Sequence, residues 1–300
     1  MEIERLLTQL FSIFVQFLPV QFLPVQFPLI QFQELLDANA FLTIVSFFVA
    51  WLVLWLPIAL PLTWKLKWRP GEPLTMAQKL PLLASLYLLA PLLLWGFAGL
   101  AQQPFSAYGL PWNLAVLVSG GKGLLLGVLG LGVLFAIELT CGWMTVQKPQ
   151  EPILPMVVTT LLLGLWVSLT EELIFRGFLL NQLQQELQPW MAGAIASLIF
   201  ALLHLVWEGK ANIPQLPGLW LMGMVLTLAR GVDGGNLGLA WGLHAGWIWT
   251  IATLDTTRIL VYPGKVSAWI TGLDQKPLAG IMGILFLLGT AGVLGWMFSG

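Results

Sequence analysis

The feature that most constrains this chain is a succession of long apolar stretches with only short polar breaks between them. They cover roughly 41–64, 79–101, 113–146, 152–180, 190–207, 214–231, 236–253 and 278–298. A helix crossing the hydrocarbon core of a bilayer needs about 20 apolar residues, and each stretch is close to that. Charged residues make up 9% of the 300 and hydrophobic ones 58%, whereas a soluble domain is about a quarter charged. Such a chain lacks the polar surface to cover a globule in water. Lipid offers no partner for an open sheet edge. The expected fold is therefore an all-α integral membrane protein, with about eight transmembrane helices in one bundle around a polar intramembrane cavity.

Charge and cysteine content exclude several functions. The net charge is −1, and no basic stripe is available to neutralise phosphates, so nucleic acid is not an expected partner. The lone Cys141 rules out an intramolecular disulfide and any CxxC motif. Gly120, Gly121 and Gly123 flank Lys122, but the GxxxxGK[ST] order of a phosphate loop is absent, so no nucleotide is expected either. Membrane lipid is the expected surroundings.

The chain divides by composition. Residues 1–40 carry the repeats VQFLP, VQFLP and VQF from Val15 to Phe27, with Pro19, Pro24 and Pro28. A five-residue period suits neither helix nor strand, and three prolines so close break any long helix. This segment is expected to be interfacial or weakly ordered and not a cleaved signal peptide. N-terminal membrane helices follow over 41–149, a helix core over 150–255, and a loop with a last helix over 256–300. With eight spans and the N-terminus outside, the inner loops hold Lys65, Lys67, Arg69, Lys79, Lys148, Lys210, Arg258, Lys265 and Lys276, leaving Arg5, Lys122 and Arg230 outside. Nine against three places both termini on the non-cytoplasmic side.

Glycines add a packing signal. Gly238, Gly242 and Gly246 recur every fourth residue, as do Gly123 and Gly127. Such ridges let helix backbones approach closely in a membrane.

Against this background the few intramembrane ionisable residues stand out, since such groups are costly and usually face the bundle interior. Glu172 and Arg176, four apart, share a helix face in the better order for pairing. Glu171 is rotated by about 100° from Glu172 and is free to face something else. The two histidines, His204 and His244, both fall inside apolar stretches. Gln188-Pro189 reads as a turn, with Glu171 lying 17 residues before Gln188 and His204 lying 16 after it. Antiparallel helices joined there bring the two side chains to one depth, as a pair able to activate water. Glu138 is a further intramembrane acid, read as structural. Glu171, His204 and His244 are also donors of the kind that hold Zn²⁺. HExxH is absent, and a metal-free base is the favoured reading.

The order Glu171-Glu172-x-x-x-Arg176, then Phe200-x-x-x-His204, then His244 resembles the three motifs of the CPBP (CAAX protease and bacteriocin-processing) intramembrane proteases, including the Rce1-type prenyl-protein endopeptidases. The resemblance covers roughly 150–255. It implies an endopeptidase that hydrolyses a peptide bond of a membrane-tethered, in some members prenylated, substrate. In that reading Glu171 is the general base and His204 its partner on the water. Glu172, Arg176 and Phe200 support the site, and His244 helps stabilise the oxyanion. The sequence departs from the pattern at Ile248, where the family commonly has Asn one turn after the histidine; Trp247 or Trp249 would be substitute donors. The departure motivates an alternative, a non-catalytic scaffold or binding member of the same family. A proton-coupled transporter would show inverted repeats, and none is visible.

Overall fold

The computed structural model describes residues 39–69, 74–111 and 113–297; the VQFLP repeats lie outside them. Eight long helices follow one another there. They are α1 (Ala40–Lys65), α2 (Met76–Leu100), α3 (Leu114–Thr140), α4 (Ile153–Glu186), α5 (Pro189–Glu208), α6 (Leu216–Val232), α7 (Gly238–Thr257) and α8 (Ile281–Met297). The protein is an all-α membrane protein. Five stretches are long and apolar enough to cross a bilayer, namely α1, α2, α3, α4 and Pro189–Val232, which holds α5 and α6 together; α8 is apolar but shorter. His244, three tryptophans and several glycines and threonines make α7 more polar.

Local chemistry sets the helix ends. Asn39 caps α1 by accepting from the Leu42 amide at 3.1 Å, and Asn113 caps α3 through the Val116 amide at 3.3 Å. Pro189 opens α5, where a missing N–H costs nothing. The third helix stops at Thr140, short of the expected 146. Gly142 turns the chain at φ +71°, and Thr145–Val146 (β1) then pairs antiparallel with Leu260–Val261 (β2).

The bundle is built around α7, whose face toward α3 is the glycine seam. A Cβ added to Gly242 would lie 1.9 Å from the Gly120 carbonyl oxygen, and one on Gly246 would lie 2.7 Å from that of Leu124. From the other side, Gly123 meets the Leu239 carbonyl and Gly127 that of Leu243. The expected ridges thus face each other. Opposite this seam, Leu117, Leu125, Leu129 and Val133 of α3 are each more than half exposed, forming a surface suited to lipid and not to water. On its other side α7 is bonded to α4. Trp241 and Trp249 donate their indole N–H to the Leu165 and Val157 carbonyls, both at 2.9 Å, and Thr160 meets Thr253 at 2.6 Å.

The loops that carry the nine Lys and Arg residues are tied together at one end of the bundle, through the β1–β2 pair, the Lys79–Glu208 ion pair and a Lys276–Asn212 contact. At the other end Leu237 donates to the Gly109 carbonyl at 2.7 Å and Ser119 to Asp233 at 2.8 Å. Two residues assigned to outer loops are elsewhere. Lys122 lies within α3, and Arg230 is buried in α6, 7% exposed. Glu138 is buried near the end of α3 and accepts from the Tyr262 hydroxyl at 2.8 Å. Burial, together with this bond to a carboxylate, pushes the Tyr262 phenol up from its usual range.

Candidate active site

The candidate site is organised by an irregularity in α4. Directly after Glu171 and Glu172, residues Leu173–Leu179 wind as a π-helix before the α-helical repeat resumes at Leu180. Single π turns of this kind recur at functional sites. The backbone here is held from outside. The Arg230 guanidinium donates through Nη1 to the Arg176 carbonyl and through Nε to the Gly235 carbonyl, the latter at 3.0 Å. A Cβ on Gly177 would come within 3.0 Å of the Tyr108 carbonyl oxygen, so the loop before α3 lies directly on the π turn. Burial pushes the Tyr108 phenol up to about 12.

Glu172 is fully enclosed, with Oε1 accepting from Arg176 Nη1 at 3.0 Å and from His244 Nδ1 at 2.8 Å. Its Oε2 has no hydrogen-bond partner among the described residues. Arg176 also donates to the Gly223 carbonyl at 3.3 Å, and its guanidinium lies 4.6 Å from the centre of the Phe200 ring, a favourable cation–π placement. Phe200 is thus a junction. Its ring also packs on Phe175, His204 and His244, at 5.1, 4.7 and 6.1 Å between centroids.

Glu171 points elsewhere, as its rotation on the helix requires. Its Oε1 accepts from the Tyr87 hydroxyl of α2, and its Oε2 lies 3.6 Å from His244 Nε2. His244 therefore sits between the two carboxylates, one at each ring nitrogen. His204 Nδ1 lies 2.8 Å from the Phe200 carbonyl. A carbonyl can only accept, so Nδ1 carries a proton, and the neutral ring keeps its lone pair on Nε2.

Tyr87, Glu171 and His204 line one open-sided cavity of about 510 Å³ between α1, α2, α4 and α5. Its other walls include Phe48, Trp51, Trp55, Phe175 and Trp207, with Lys79 and Glu208 toward the Lys-rich loops. That volume and lining are typical of a small-ligand or substrate pocket, mostly apolar with a few convergent polar groups. Glu171 and His204 share the cavity without bonding directly to each other. Neither His244 nor Ile248 lines it. A Cβ on Gly164 of α4 would lie 3.5 Å from Ile248 Cγ2. The two indoles expected as substitute donors are not aimed at it either. Trp249 is bonded to Val157, and Trp247, whose Nε1 has no partner among the described residues, packs against Phe286.

No three His, Cys, Asp or Glu side chains converge as a metal centre among the described residues. Glu171 accepts from Tyr87, His244 lies between Glu171 and Glu172, and His204 bonds through Nδ1 to the Phe200 carbonyl.

Tyr87 and Arg230 touch the candidate site and were not among the site residues singled out from the sequence. The signal for Tyr87 was present. The chain has three tyrosines, and two of them, Tyr87 and Tyr262, bond to intramembrane acids.

Comparison with known proteins bears on α4 to α7. Residues 152–250 match the Rce1-like family, described as type II CAAX prenyl endopeptidase Rce1-like. The match takes in Glu171, Glu172, Arg176, Phe200, His204 and His244, so the Rce1-like part of the chain holds the whole expected constellation. The family is one of CAAX-protease-type membrane proteins. An Escherichia coli protein described as an uncharacterized 24.3 kDa protein is 30% identical over 131 residues, 43% of this chain and 57% of its own length. The chain thus spans little more than half the length of that relative. No solved structure matches the chain.

Proposed function

We propose that the protein is an intramembrane endopeptidase that hydrolyses a peptide bond of a membrane-associated substrate, prenylated or not, with water activated by Glu171 and His204. The observation that carries this reading is the shared cavity. A carboxylate and an imidazole with a free Nε2 face one largely apolar space between helices in the membrane. A water held between them loses a proton to Glu171 as its oxygen adds to the carbonyl carbon, and the same proton then serves the departing amine. His244, Glu172 and Arg176 act through Glu171, fixing its carboxylate from the side away from the cavity. His244 is thereby a positioning residue, in place of the oxyanion role the family resemblance implies. No step in this scheme needs a metal, and a chelator is expected to leave the rate unchanged. The positive-inside rule puts the Lys-rich end on the cytoplasmic side.

The test is peptidase activity of the purified, detergent-solubilised protein on a quenched-fluorescence peptide library containing prenylated and unprenylated members. Cleavage by wild type, abolished in His204→Ala, is the expected result. Cleavage by His204→Ala at the wild-type rate would contradict the paired mechanism. No turnover from folded wild type would favour the scaffold alternative, which Ile248 supports.

A further inference from the structure

Acyl transfer through a tetrahedral intermediate needs a donor aimed at the oxygen that becomes negative, and such donors are among the largest single contributors to rate. Three groups expected to supply one are placed otherwise. The Trp249 indole is committed to the Val157 carbonyl, Trp247 packs against Phe286 away from the cavity, and His244 is held between Glu171 and Glu172. Arg176 and Arg230 are occupied by Glu172 and by backbone carbonyls. Among the described residues, the one hydroxyl that both lines this cavity and touches Glu171 belongs to Tyr87.

We infer that Tyr87, on α2 and outside the Rce1-like segment, is a catalytic residue that donates to the oxyanion of the tetrahedral intermediate. The inference rests on the peptidase reading. In the resting site the hydroxyl donates to ionised Glu171 Oε1. When Glu171 takes the proton from water, its negative charge is lost. The carbonyl π electrons move to oxygen as the new C–O bond forms, so the negative charge reappears there. The strongest acceptor near the Tyr87 hydroxyl is then the substrate oxygen, and the hydrogen bond transfers to it. Collapse re-forms the carbonyl, breaks the C–N bond and passes the Glu171 proton to the amine. The phenol stays protonated throughout, and atoms and charge balance with water as the only co-reactant. Trp166, whose ring centroid lies 6.3 Å from that of Tyr87 in an edge-on contact, helps fix the phenol in place.

The experiment compares wild type with Tyr87→Phe on a peptide that wild type cleaves. Removing one hydroxyl is expected to lower kcat by about 100-fold or more with KM little changed. A phosphinic analogue of that peptide, which mimics the tetrahedral state, should lose affinity in Tyr87→Phe by a similar factor, while the cleavage-product peptide binds as before. A merely structural role would weaken both ligands alike and overturn the inference. So would Tyr87→Phe with wild-type kcat; in that case Glu171-dependent cleavage by wild type would leave the peptidase reading standing. Wild type without turnover overturns both.

Discussion

Arg176 and Glu172 form an ion pair with almost no exposure, 1% and 0% for the two side chains, and the energetics of such a pair are asymmetric. Removing one member strands the other in a medium that cannot solvate it, at about 3–5 kcal/mol. Arg176→Ala should therefore lower thermal stability in detergent markedly and reduce the yield of folded protein, as read by a melting curve. An unchanged melt would mean that the pair is not enclosed as described. Tyr262→Phe offers a milder case. It leaves Glu138 buried without its donor and should cost about 1–3 kcal/mol, measurable as a fall in Tm with the fold retained. The sequence made the Glu172–Arg176 pairing legible because spacing of four on a helix fixes which side chains meet. It could not show that His244 bridges both glutamates or that Tyr87 meets Glu171. Those contacts depend on how α2, α4 and α7 are rotated against one another, which no single helix encodes.

At the scale of elements, the α3–α7 contact is where backbone meets backbone, and glycine is required on geometric grounds. Gly242→Ala would drive a methyl group into the Gly120 carbonyl. Overpacking of this kind costs about 1–3 kcal/mol or more, so the variant should melt earlier and yield less folded protein. Gly121→Ala is the matched control, since nothing lies within 4 Å of a Cβ there; a similar loss in both variants would contradict the seam. The period of four among Gly238, Gly242 and Gly246 was enough to identify this face from sequence. The π turn at Leu173–Leu179 was not legible. An apolar run such as Leu-Ile-Phe reads equally well as an ordinary α-helix, and the Arg230 side chain that bonds to the turn comes from 54 residues away along the chain. The turn at Gln188-Pro189 does bring Glu171 and His204 to one cavity, with the altered winding of Leu173–Leu179 lying between them.

For the whole molecule, the Lys and Arg asymmetry was readable because loop charge is a compositional property. Arg230 shows the limit of that method, since a basic residue near a helix end counts as a loop charge only if it is exposed. Reporter fusions in the loop between α3 and α4 should register as cytoplasmic, and fusions between α6 and α7 as non-cytoplasmic; the reverse result would invert the proposed orientation. The central claim is that Glu171 activates the hydrolytic water, and one comparison tests it most directly. Single-turnover cleavage of an identified peptide is measured with wild type and with Glu171→Gln, which keeps the size of the side chain and removes its basicity. Wild-type cleavage with none detectable in a Glu171→Gln protein that melts like wild type is the result this account predicts. Glu171→Gln cleaving at the wild-type rate would contradict it.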